Sequence, residues 1–247
     1  MALEPLANRV ALVTGGGTGI GRAIALELAA HGADVAVNYS RSRDEAESTA
    51  DAIRRLGKRG MAVKADVSKD REVVEMVKRI IREWRRLDIL VNNAGTTAFV
   101  AHKDLDGLTD EIWDRIFSVN VKGTFFCCRA AAGVMTEGRI INIGSVAGIR
   151  GTGSSIAYAA SKGAIHTMTL SLARALAPSI TVNTIAPGLI DTRWSAGHEA
   201  ENAKIVESLP AKRPGRPHDI AQVAVALATA DSYLTGQIIA VEGGQLL

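Results

Sequence analysis

Tyr158 and Lys162 stand four residues apart in the run Tyr158-Ala159-Ala160-Ser161-Lys162. That run opens a long stretch rich in Ala and Leu, which reads as a helix from Tyr158 to Leu176. Residues at this spacing share a helix face, one turn apart. A free phenol has a pKa near 10, too high for a good base at neutral pH. An ammonium beside it favours the phenolate and lowers that value. Such a tyrosine can take a proton from an alcohol or return one to a carbonyl. Ser145 follows Arg139 to Ile143, which reads as a strand, and from a strand end it can hydrogen-bond the same oxygen. The alternative is a solvated helix face, the ordinary fate of a Tyr and a Lys at this distance.

A glycine-rich loop tips that balance. Thr14-Gly15-Gly16-Gly17-Thr18-Gly19-Ile20-Gly21 lies between the apolar run Val10–Val13 and a helical pattern from Ile20 to Ala30. Gly15 permits a sharp turn, Gly19 lets the backbone approach a pyrophosphate, and Gly21 lets the helix pack tightly. The helix start, Thr18 and Ile20 included, then offers free N–H groups and a positive dipole end to phosphates. The spacing is T-G-x-x-x-G-x-G, and no Lys-Ser/Thr pair follows, so this is not a P-loop. A dinucleotide here brings a positively charged nicotinamide ring, which would also favour the Tyr158 phenolate.

These residues need a frame to hold them. Val35–Val37, Met61–Ala65 and Leu87–Val91 read as further strands, mostly apolar rather than alternating, as expected where a parallel sheet is covered on both faces. Between them lie a helix from Asp44 to Leu56, stopped by Gly57, and one capped by Ser68 that runs to about Trp84. The region from Thr109 to Met135 reads as mostly helical, and Ile180–Ile185 and Gln237–Val241 complete a seven-stranded parallel sheet. This is a doubly wound α/β pattern. Residues 1–247 read as one domain with an excursion at about 189–217, which is polar and carries Pro210, Pro214 and Pro217. That excursion is expected to be mobile and is the natural seat of substrate specificity.

Composition narrows the class. The chain has 247 residues, 47% hydrophobic and 22% charged, which excludes wholesale disorder. A net charge of +3 without a basic run, and only 4% aromatic residues, argue against nucleic-acid and membrane surfaces. The two cysteines are neighbours, Cys127 and Cys128, too few for a disulfide framework. The start, Met-Ala-Leu-Glu-Pro-Leu, has no signal-peptide pattern, and a cytoplasmic protein is expected. The five histidines show no metal-ligand spacing, so no metal site is expected. His166 reads as a packed or interface residue. The Asn38-Tyr39-Ser40 sequon reads as chance.

Six features in one order carry a resemblance: the glycine loop, Asn92-Asn93-Ala94-Gly95, Asn120, Ser145, Tyr158 with Lys162, and Pro187-Gly188. In this the chain resembles the short-chain dehydrogenase/reductase family, a Rossmann fold, over essentially its whole length. The resemblance implies a fourth catalytic residue, Asn120, whose backbone carbonyl holds a water linking the lysine to solvent. It places Asn93 against the cofactor ribose, with Ala94 and Gly95 permitting close approach. It places Asp66 at the adenine amino group with Val67 beside the ring, although Asp66 could instead cap the helix near Ser68. It assigns Ile190 and Thr192 to the carboxamide, after Pro187-Gly188, and Lys162 to the ribose hydroxyls.

The branches most resembled are the 3-oxoacyl-acyl-carrier-protein reductases and the glucose 1-dehydrogenases. A ketone/secondary alcohol oxidoreductase is therefore expected, with a sugar dehydrogenase or a non-catalytic dinucleotide-binding protein as alternatives. The complete set of Asn120, Ser145, Tyr158 and Lys162 speaks against the last. Carrier-protein reductases tend to present arginines near the helix ends at Gly133 and Ser179. No basic residue is expected at either here, which weakens docking of an acyl carrier protein. Phe99, Leu189 and Trp194 suggest a pocket for apolar groups. The family pairs two long helices between subunits, here Gly123–Met135 and Ala164–Leu176, so a homotetramer is expected.

Cofactor choice rests on the end of the second strand. A site selective for NAD needs an acid there for the ribose hydroxyls. The segment reads Val37-Asn38-Tyr39-Ser40-Arg41-Ser42-Arg43, with Tyr39 at that position and Asp44 the nearest acid. Arg41, helped by Ser40 and Arg43, is placed to bind a 2′-phosphate. NADP(H) is therefore expected over NAD(H). The alternative leaves both arginines solvated and both cofactors in use, as in glucose-dehydrogenase-like relatives.

Overall fold

The computed structural model describes residues 4–194 and 196–247. Seven parallel strands form one sheet: β1 (Val10–Val13), β2 (Asp34–Tyr39), β3 (Gly60–Lys64), β4 (Ile89–Asn92), β5 (Gly138–Ile143), β6 (Ile180–Pro187) and β7 (Ile238–Val241). Their order is β3-β2-β1-β4-β5-β6-β7, so the chain runs outward from β1 to one edge and then reverses. The reversal puts a crevice beyond the carboxyl ends of β1 and β4, where doubly wound sheets bind ligands.

Mostly apolar strands are required because both faces are covered. Ala11 and Val13 of β1 point into a core with Val35 and Val37, closed by α1 (Gly19–Ala30), α2 (Arg43–Arg55) and α9 (Pro217–Thr229). Val10 and Leu12 point the other way, against α3 (Asp70–Trp84), α5 (Thr124–Ala132) and α7 (Ile156–Leu176). Among the described residues no helix is long and apolar enough to cross a membrane.

Four elements differ from the sequence expectation. Ser68 does not cap α3; the N-cap is Lys69, and the Ser68 hydroxyl donates to Asp66 Oδ1 at 2.7 Å instead. The stretch from Thr109 to Met135 is α4 (Asp110–Phe117) and α5, joined by a π-helical turn over Ser118–Gly123. α7 begins two residues before Tyr158, because the N-cap Ser155 side chain accepts from Tyr158 N. The excursion holds α8 (Glu199–Ser208), a helix with no buried residue, which explains its weak periodicity. It is tied back where Ile190 bridges Gly215, Asp191 N donating to Gly215 O at 2.8 Å and Gly215 N to Leu189 O at 2.9 Å. A short α6 (Ala147–Arg150) follows Ser145.

Candidate active site

At the carboxyl ends of β4, β5 and β6 the structure brings Asn120, Ser145, Tyr158 and Lys162 together. Lys162 is almost fully buried and its Nζ donates to Ile143 O, the last residue of β5, at 2.8 Å. The same Nζ lies 5.7 Å from the centroid of the Tyr158 ring. Ser145 is hydrogen-bonded to the Tyr158 side chain, and its Oγ accepts from Ala147 N at 3.1 Å. The solvated-face alternative is thereby excluded, since the lysine is inside the protein.

The electrostatics differ from the expectation of a depressed phenol. Burial pushes the Tyr158 hydroxyl up to about 12, with the Ser145 hydrogen bond acting in the opposite sense. Burial also lowers Lys162 to about 8, because a desolvated ammonium is disfavoured. Withdrawal from water thus outweighs the Ser145 hydrogen bond, and Tyr158 holds its proton at neutral pH.

Asn120 occupies the π-helical turn and is fully buried. Its side chain accepts from Thr96 N at 2.8 Å and donates to Thr96 O and to Ser161 Oγ, both at 3.0 Å. Ser161 in turn donates to Tyr158 O at 2.7 Å, so the turn and α7 are locked together through Asn120. The Asn120 carbonyl accepts from Thr124 Oγ1 at 2.7 Å. Extra-residue turns of this kind recur at functional sites because they re-aim a carbonyl out of the helical ladder.

The glycine loop is a rigid cradle. Gly15 and Gly19 have φ of +60° and +53°, the left-handed region that a side chain resists. A Cβ at Gly21 would collide with Asn93 Nδ2 and Gly15 O, so this glycine serves contact within the loop rather than packing of helix on strand. Thr14 organises the floor: its Oγ1 accepts from Asn93 N and Ala94 N, each at 3.0 Å. Asn93 Nδ2 donates to Thr14 O at 3.0 Å and Gly15 O at 3.1 Å. Asn93 therefore braces the cradle, and only its remaining groups can face a ribose. Thr18 is the α1 N-cap without a side-chain cap, and the first turn has no acid, so the N–H groups there are available to an anion.

The sequence reading missed Asn38. It is 1% exposed, which removes the sequon as a modification site. Its Oδ1 accepts from Gly15 N at 3.3 Å, while Nδ2 donates to Ala65 O at 3.0 Å and Val63 O at 3.3 Å. One amide thus joins the glycine loop to β3. The signal was a polar residue inside an otherwise apolar strand.

The remaining positions fall around this cradle. Asp66 Oδ1 accepts from Ser68 N at 3.0 Å as well as from its hydroxyl, a local turn that leaves Oδ2 for a ligand. Val67 is buried against Gly123. Ser40 and Arg41 are exposed at the end of β2, ahead of α2. Gly188 N donates to Val241 O at 3.1 Å, fixing the Pro187-Gly188 turn from which Ile190 and Thr192 leave the sheet. Thr192 approaches Gly19, and Arg193 reaches Ser42 at 3.5 Å and Glu45 at 3.7 Å, so the excursion spans the cradle's mouth. Trp194 lies 6.1 Å from the Tyr158 ring, and Phe99 stacks on His198 at 3.9 Å. Gly133 and Ser179 carry no charge themselves, but Arg129 and Arg174 stand in the last turns of α5 and α7, Arg129 paired with Asp70.

This fold and this cluster define a Rossmann-type dehydrogenase or reductase. The chain belongs to the short-chain dehydrogenase/reductase family. It matches the family model described as Enoyl-(Acyl carrier protein) reductase over residues 15–245. It is 39% identical to the 3-oxoacyl-[acyl-carrier-protein] reductase FabG of Staphylococcus epidermidis, over 97% of this chain and 100% of that protein. It is 38% identical to the 3-oxoacyl-[acyl-carrier-protein] reductase of Synechocystis, over 99% of this chain and 100% of that one. Among solved structures, a short chain dehydrogenase from Burkholderia cenocepacia in complex with NADP superposes with a TM-score of 0.91 at 36% identity. That similarity covers 98% of this chain and 100% of the Burkholderia chain.

Proposed function

We propose that this enzyme is an NADP(H)-dependent reductase that interconverts a ketone, a 3-oxoacyl group foremost, and its secondary alcohol. One observation carries the reading: Tyr158, hydrogen-bonded to Ser145 and one helical turn from a buried Lys162, lies beside a glycine cradle with free helix N–H groups. The residues fit a dinucleotide. The cradle has two left-handed glycines and an uncapped helix start for the pyrophosphate, and Asp66 Oδ2 stands ready for the adenine amino group. Asn93, Ala94 and Gly95 would flank the ribose, Ile190 and Thr192 the carboxamide, and Ser40 and Arg41 a 2′-phosphate.

When bound, the nicotinamide supplies or accepts the hydride. Ser145 Oγ–H holds the substrate oxygen, and Tyr158 gives that oxygen its phenolic proton. The high Tyr158 pKa keeps the phenol protonated at neutral pH, which is the form ketone reduction uses. Lys162, anchored on Ile143 O, faces the phenolate that results and stabilises it. Asn120 locks the turn behind Lys162, and its carbonyl is the outlet towards a proton-carrying water.

Residues 1–247 act as one catalytic domain, with 189–217 as the substrate-binding excursion. Trp194 beside Tyr158 suits an apolar acyl chain. The exposed Arg174 supplies positive charge for an acidic carrier protein, as the names of the relatives suggest, whereas Arg129 is already paired with Asp70. The exposed Phe125 of α5 and Leu170 of α7 are the apolar surface that a homotetramer would cover. A panel of 3-oxoacyl esters and thioesters, 2-enoyl thioesters, quinones and sugars, followed by nicotinamide absorbance, tests the reading. Fastest turnover of the 3-oxoacyl compounds with NADPH is expected, and turnover of sugars or enoyl compounds alone would overturn it.

A further inference from the structure

His166 lies one turn beyond Lys162 on α7 and is 8% exposed. Its Nε2 has no hydrogen-bond partner, unusual for a buried polar atom. A Cβ at Gly144 would lie 2.6 Å from this Nε2, and a Cβ at Gly148 would lie 2.9 Å from His166 Cε1. The ring is thus wedged against the residue before Ser145 and the residue three after it. At Gly144 a side chain would meet the His166 ring and Thr184, and at Gly148 it would meet the α7 backbone at Lys162 and Gly163 before the ring.

We propose that His166 is a positioning residue for Ser145, its ring setting the height at which the Gly144–Gly148 turn presents the serine hydroxyl to Tyr158; this rests on the role proposed for Ser145. Apart from Ala147 N donating to Ser145 Oγ, the turn is held by backbone hydrogen bonds. Gly144 N donates to Ile185 O at 2.7 Å, Val146 N to Pro187 O at 3.0 Å and Gly148 N to Ser145 O at 3.0 Å. At Gly148 the turn packs directly on the α7 backbone at Lys162 and Gly163, whereas on the Gly144 side the His166 ring lies between the turn and α7. The wedge stays neutral in use, because burial and the Lys162 ammonium push His166 down to about 4. It therefore fills space beside Lys162 without adding charge.

The test uses the full chain with NADPH, ethyl 3-oxobutanoate and, in reverse, ethyl 3-hydroxybutanoate with NADP. His166→Ala empties the gap, and His166→Leu refills it without a polar atom. For His166→Ala we expect kcat to fall by about 10- to 100-fold, the cost of a misplaced reacting group, with NADPH affinity within twofold by fluorescence titration. The ascending limb of the reverse kcat/KM profile should move to higher pH, since a loosened Ser145 no longer lowers the Tyr158 pKa. His166→Leu should restore both. Unchanged kcat and pH profile in an active His166→Ala enzyme would overturn the inference alone. So would losses of kcat, cofactor affinity and melting temperature together with an unmoved pH limb, which would show only damaged packing. An unmodified chain inert towards the oxoester would overturn the functional reading and this inference with it.

Discussion

Replacing Asn38 by alanine tests whether the glycine cradle is held from β2. The substitution leaves Gly15 N without its acceptor and removes the donor to Ala65 O and Val63 O, all inside a 1% exposed site. A buried polar group stripped of its partner costs about 1–3 kcal/mol. The carbonyls keep a second lone pair and the 3.3 Å bonds are weak, so about 3 kcal/mol in total is the reasoned figure. For a chain of this length, that corresponds to a melting temperature lower by about 6–12 °C. The freed Gly15 should also raise KM for the cofactor more than KM for the ketone. Asn38→Asp adds a sharper sign. A carboxylate facing two carbonyl oxygens has its folded pKa raised, so the folded state holds the proton more tightly than the unfolded one. Stability is then lost as pH rises from about 4 through the raised value. Scanning calorimetry at pH 5 and pH 8 measures this. An Asn38→Ala melting point within 2 °C of the unmodified protein, or an Asn38→Asp variant without the added pH slope, would refute the reasoning.

Three further outcomes follow from the same structure. Arg41→Asp should erase or invert an NADP(H) preference of about 10- to 100-fold in kcat/KM, about 1.4–2.8 kcal/mol, and equal efficiency of the unmodified enzyme with both cofactors would refute the assignment. Light scattering should give a tetramer that Phe125→Glu converts to smaller species, since that side chain is 41% exposed on α5; a monomeric unmodified chain would contradict it. His166 should make the protein less stable as pH falls from about 6.5 to about 4, because the unfolded state binds its proton first. The loss approaches about 3 kcal/mol and should be absent in His166→Leu, as acid denaturation curves would show.

The sheet was legible because strands covered on both faces cannot alternate, and their apolar runs stand out from the helices between them. The cradle was legible from glycine spacing, and Tyr158 with Lys162 from the four-residue interval. What escaped was whatever depends on contacts distant in the chain. Asn38 looks like a chance sequon until β3 is seen beside it. Gly21 looks like a packing glycine until Asn93 arrives from β4. The π-helical turn at Asn120 has no local sequence signature beyond a mediocre helix former. The Tyr158 pKa is read from the charges of Lys162 and a nicotinamide, whereas burial, a tertiary property, raises it in the protein alone.

The central claim is that Tyr158 moves the proton that accompanies hydride transfer. Tyr158→Phe removes one hydroxyl and leaves the cradle untouched. NADPH should bind it with unchanged affinity by fluorescence titration. Its single-turnover rate of 3-oxoester reduction, read from nicotinamide absorbance, should fall by at least about 10². A rate within a few-fold of the unmodified enzyme, with the cofactor bound, would contradict the account.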